Sequence, residues 1–139
     1  MSGLVLDSSA ALSWCFLGEA TPANDALLER VKDEGALVPD LWHLELANVL
    51  VNAERAKRVS MNQIAIFFNL VRKLPISVDT QASARAFDTL FDLARYERLT
   101  TYDAAYLDLA LRRNLPLATK DKDLSLAAKR NGVKLLLQA

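Results

Sequence analysis

Five short apolar runs alternate with stretches of helical period along the whole chain, and this alternation constrains the fold more than any other feature. The runs are GLVLD, GALVP, PISVD, LPLAT and VKLLL. Between them, SSAALSWCFL reads as a helix. So do Pro22 to Glu34, with Pro near its first turn, and Leu41 to Lys57. Ser60 to Lys73, capped by Ser60, Gln81 to Arg95, Tyr102 to Arg113 and Leu124 to Arg130 complete the set. Strands that alternate with helices need crossover connections. They predict an α/β fold with a mostly parallel sheet covered on both faces. No repeat, low-complexity segment or Pro/Gly-rich linker interrupts the pattern, so residues 1–139 read as one domain, long enough to bury a core.

Composition removes several classes of function. A hydrophobic fraction of 52% with 24% charged residues is that of a compact soluble protein, and no apolar stretch approaches a membrane span. No basic region precedes an apolar one at the N-terminus, so no secretory signal is expected. The single cysteine, Cys15, excludes an internal disulfide framework and fits a reducing cytoplasm. Trp14 and Phe16 flank it, which favours buried packing. His43 is the sole histidine, so a His/Cys zinc site is not expected. Formal net charge is zero, but from Arg112 onward seven Lys/Arg face two Asp/Glu. That excess is either a polyanion-facing surface or ordinary solvated charge.

The acids are the informative residues. Asp7 ends the first apolar run. It is either a helix cap, as Ser8 and Ser9 could also be, or a ligand at the carboxyl end of a central strand, where open α/β sheets place ligands. In DLWHLELANVLVNAER, Glu45, Asn48 and Asn52 share one narrow stripe of a helical wheel. Leu44 and Val51 flank it on one side, Trp42 and Val49 on the other, so the stripe falls where burial is expected and solvent is expected near His43 and Glu54. A buried carboxylate there needs a cation or a shifted pKa, either from a structural Arg or from a functional ion. In LTTYDAAYLDLAL, Asp103 falls in a first turn capped by Thr100 or Thr101, where a capping-box role competes with a site role. It shares a side with Leu107 and Ala110, whereas Asp108 lies more than a third of a turn away. Tyr102 and Tyr106 read as packing residues. LPLATKDKDL repeats the opening pattern, with Thr119 and then Asp121 and Asp123 after the strand, one of which caps the next helix or joins the other acids. Gathered at one sheet edge without His or Cys, such acids repel one another and call for a cation. Mg²⁺ suits them, since it takes oxygen ligands, keeps waters and pairs with substrate phosphates.

Taken in order, LVLDSSAAL, ELANVL and LTTYDAAYLDLALRRNLPLATKDKDL resemble the PIN domain, and within it the VapC-like toxins of prokaryotic toxin–antitoxin pairs. The resemblance spans nearly the whole chain. It implies a three-layer α/β/α sandwich, and an endoribonuclease dependent on Mg²⁺ or Mn²⁺. By position it implies Asp7, Glu45, Asp103 and Asp121 as catalytic and metal-binding acids, with Ser9 and Thr119 as supporting hydroxyls and Asp123 as a possible addition. It also implies an RNA substrate, a homodimer and a small antitoxin that inserts a segment at the site.

Other readings are weaker. A phospho-accepting signalling domain needs its aspartate on a middle strand, whereas the third strand ends in Val78-Asp79. A haloacid-dehalogenase-like phosphatase needs an acid where Ser9 stands. A non-catalytic RNA-binding PIN domain does not need a full acidic set. A DNA-directed nuclease shares the phosphodiester chemistry.

Overall fold

The computed structural model describes residues 2–137, apart from the side chain of Leu17. Strand β1 (Val5–Leu6) leads into α1 (Ser8–Leu12), a 3₁₀ turn (Leu17–Glu19) and α2 (Pro22–Glu34). Then come β2 (Ala36–Pro39), α3 (Trp42–Arg55), α4 (Met61–Lys73) and β3 (Ile76–Asp79). A helical stretch follows: α5 (Ala82–Arg85), a π turn (Ala86–Leu90) and α6 (Phe91–Glu97). The chain closes with α7 (Thr101–Arg113), β4 (Leu117–Ala118), α8 (Lys122–Arg130) and β5 (Leu135–Leu137).

The five strands form one parallel sheet in the order β3-β2-β1-β4-β5. This is the flanked parallel α/β sheet expected from the alternating pattern. Val5 sits between Leu37 of β2 and Leu117 of β4, so β1 is central and the chain winds outward on both sides of it. Leu4, Val5, Leu6, Trp42, Leu50, Phe67, Leu107, Leu117 and Leu124 are fully or almost fully buried and form the core. Helix α7 packs on β1, β2 and β4.

Local chemistry explains the helix boundaries. Thr21 caps α2 by accepting from Asn24 N–H, with Pro22 in its first turn. Ser60 and Gln63 form a reciprocal capping box on α4. Two expectations need correction. The helix expected over SSAALSWCFL stops at Leu12, because Ser13 turns its hydroxyl back to the Ala10 carbonyl and the Trp14 indole reaches the Asn24 carbonyl. The helix expected over Gln81 to Arg95 carries a π turn in its middle and runs on to Glu97.

Candidate active site

The carboxyl ends of β1 and β4 meet where the strand order reverses, the position at which open α/β sheets form their ligand crevice. Asp7 follows β1 directly. Its backbone occupies the N-cap position of α1, yet its side chain makes no capping bond. Instead its Oδ2 accepts from the Ser9 hydroxyl at 2.7 Å and the Thr119 hydroxyl at 2.6 Å. Thr119, fully buried, also accepts from the Asp121 N–H, and Ser9 accepts from the Lys120 N–H. Asp121 Oδ1 caps α8 through the Leu124 N–H at 2.8 Å, so it is both a helix cap and a neighbour of Asp7. Asp123, in the first turn of α8, is exposed and is not among the largest influences on Asp7, Glu45 or Asp103.

Helices α3 and α7 bring the other two acids. Glu45 sits half-buried in the first turn of α3, and its Oε1 accepts from the Tyr106 hydroxyl at 2.5 Å. Asp103 sits in the first turn of α7, where Thr100 caps the helix by accepting from the Asp103 N–H. No capping box of the Ser60–Gln63 kind forms there, and the Asp103 carboxylate accepts a hydrogen bond from the Thr100 side chain.

The charges of the four acids reach one another. Burial raises the Asp7 carboxyl, and Asp121 raises it further. Burial and the charge of Asp7 raise Glu45. Asp103 is pushed up to about 7 by burial and by the charges of Asp121, Asp7 and Glu45. Among the described residues, no Lys or Arg is among the largest influences on these three. Acids elsewhere contrast with them: Asp79 and Asp108 bind Arg112, Asp108 also binds Arg85, Glu97 binds Arg130 and Glu19 binds Lys120. The chain therefore neutralises its structural acids with cations and holds this cluster with neutral donors.

A divalent cation fits that donor set. The ligands are all oxygens, Cys15 is buried elsewhere and His43 is exposed. Among the described residues no three side chains already converge as a direct chelate. Mg²⁺ uses one or two carboxylates directly and keeps several waters, through which further acids act on it.

Several sequence expectations are corrected here. The polar stripe of α3 is not enclosed: Leu44 is 75% exposed, Val51, Asn48 and Asn52 are exposed too, and only Glu45 turns inward. Tyr102 is exposed and does not serve as packing, whereas Tyr106 is fully buried and also reaches the site. Asp108 is buried in a two-arginine network. The basic C-terminal excess is largely consumed by pairing, since Arg112, Arg113, Lys120 and Arg130 all contact acids. Asp79, the acid a phospho-accepting domain would need, lies on an edge strand, clamped by Arg112 and the Gln81 N–H.

A family model described as PIN domain matches residues 4–130. Among solved structures, one similar to this chain is the crystal structure of PAE2754 from Pyrobaculum aerophilum. It has a TM-score of 0.67 and 21% identity, over 97% of this chain and 91% of that one. A search of curated proteins finds no match.

Proposed function

The chain belongs to the PIN-domain family, and from that premise we propose that it is a Mg²⁺- or Mn²⁺-dependent endoribonuclease, the toxin of a toxin–antitoxin pair. The observation that carries this reading is the meeting of Asp7, Glu45, Asp103 and Asp121 at the carboxyl ends of β1 and β4, held by neutral donors, with burial and their mutual charge pushing Asp103 up to about 7. Such a cluster is costly near neutral pH unless it keeps a proton or positive charge arrives from outside the chain.

Asp7, Glu45, Asp103 and Asp121 would hold the cation, one or two of them directly and the others through its waters. When bound, it supplies charge that neutralises a phosphodiester and lowers the pKa of a coordinated water. The chain's own work is to present the ligands. Ser9 and Thr119 fix Asp7, the α8 N-terminus fixes Asp121, and Asp103 gives up its proton near neutrality as positive charge enters.

Two partners follow from this reading. A short antitoxin fits a site whose acids lack a cation, because an Arg guanidinium can pair with two carboxylate oxygens at once. A second copy of the chain would give cover to exposed apolar side chains such as Leu44 and Val51 of α3 and Ile66 of α4. Among the described residues no helix is long and apolar enough to cross a membrane.

The test is to sequence RNA 5′ ends after induced expression of the wild type and of Asp7→Asn. New ends at defined positions, absent with Asp7→Asn, support the ribonuclease. RNA that co-purifies uncut with both proteins supports a non-catalytic RNA-binding domain instead.

A further inference from the structure

Tyr106 is fully buried in the middle of α7, where a phenylalanine would fill the same space. Its hydroxyl is the exception to that apolar setting. It donates to Glu45 Oε1 at 2.5 Å, joining residues 61 positions apart in the sequence. Glu45 is the longest of the four acidic side chains and stands half-buried, so by itself it would sample several rotamers. The phenol ring, locked by its packing, offers a rigid donor in their place.

The other acids follow the same pattern. Asp7 commits Oδ2 to Ser9 and Thr119, while the Ser8 hydroxyl stands 3.5 Å from its Oδ1 and the Ser8 backbone also bonds its carboxylate. Asp121 commits Oδ1 to the Leu124 N–H. Three of the four acids thus have one oxygen tied firmly to the protein.

We propose that Tyr106 is a positioning residue that ties one oxygen of Glu45, so that Glu45 offers a single oxygen to a divalent cation. This rests on the metal-dependent reading above and assigns a residue beyond the four acids. Single-oxygen donors suit Mg²⁺ and Mn²⁺, which take few carboxylates and keep water, over Ca²⁺, which takes more oxygens and accepts carboxylates through both. Freeing Glu45 Oε1 narrows that discrimination.

The experiment measures Mn²⁺ binding to the full chain without RNA, by electron paramagnetic resonance, with Mg²⁺ and Ca²⁺ as competitors. Tyr106→Phe keeps the ring. Its expected effect is a loss of about tenfold in Mn²⁺ and Mg²⁺ affinity, the low end for removing a group that orients a metal ligand, with Ca²⁺ affinity unchanged or higher. Glu45→Gln and the double variant close the cycle: once Glu45 is replaced, Tyr106→Phe is expected to add nothing. Equal losses for Mn²⁺ and Ca²⁺, or wild-type binding of both by Tyr106→Phe, overturn the inference and leave the nuclease reading standing. A wild-type chain that binds no Mn²⁺ overturns both.

Discussion

Thr119 and Asp7 lie 112 positions apart in the sequence, yet the Thr119 hydroxyl donates to Asp7 Oδ2 at 2.6 Å. The parallel pairing of β1 with β4 brings them together, through Leu6 opposite Ala118. The same hydroxyl accepts from the Asp121 N–H at 3.0 Å, so one buried group sets two of the clustered acids.

Thr119→Val keeps the shape and removes that hydroxyl. The Asp121 N–H then lacks its acceptor and Asp7 loses a donor. Urea denaturation should show a loss of about 1–3 kcal/mol, the range for leaving a buried polar group unsatisfied. RNA cleavage should fall with it, while Thr119→Ser should retain most of both.

Asp103→Asn and Asp108→Asn should part ways, although they stand five residues apart on α7. Asp103→Asn removes one charge from a repulsive cluster. It should abolish cleavage and leave the metal-free protein as stable as the wild type, or more so. Asp108 holds Arg85 through two bonds of 2.8 and 2.9 Å and Arg112 through one of 3.0 Å. Asp108→Asn should cost about 3 kcal/mol, the low end for breaking a buried pair because Arg85 is partly exposed, with cleavage kept wherever the protein remains folded. The exposed Asp33 serves as a neutral control for both.

These two aspartates also show what the sequence makes legible. Strands ending in Asp7 and in Thr119-Lys120-Asp121 announce a sheet edge rich in acids. Helical periodicity puts Glu45 and Asp103 on inward faces, and both are half-buried. The same periodicity fails for Asp108, because α7 is buried on nearly every side from Ala104 to Ala110: α6 and the π turn cover the face that a wheel assigns to solvent. It fails for Leu44 and Val51 in the opposite sense, since an apolar side chain is no guarantee of burial. The Tyr106–Glu45 bond is invisible to any local pattern, because it depends on how α3 and α7 dock.

The pH dependence has a definite sign. The Asp103 carboxyl, ordinarily near 3.8, stands near 7 in the folded chain. Its protonated form therefore stabilises the metal-free fold fully below 3.8, and that contribution is lost as the pH rises through 7. A cation needs the deprotonated cluster, so Mn²⁺ affinity should climb with pH and level off above about 7. Calorimetric titration across that range should show the climb, and Asp103→Asn should flatten it. A wild-type affinity independent of pH contradicts the assignment.

An inhibitory partner should act through charge. If a short antitoxin-like reading frame lies beside the gene, as the toxin reading proposes, co-expressing its product should restore growth. Replacing its site-facing Arg should relieve inhibition more than it weakens the complex, because apolar contacts persist. A partner that inhibits fully with every basic residue neutralised contradicts insertion of a cation among Asp7, Glu45, Asp103 and Asp121.

The most direct test of the central claim is cleavage of a defined RNA by the purified chain as the divalent cation is removed and restored. Excess EDTA should abolish cleavage, Mg²⁺ or Mn²⁺ should restore it, and Asp7→Asn and Asp103→Asn should stay inactive at every cation concentration. Undiminished cleavage by the wild type in excess EDTA would contradict the account.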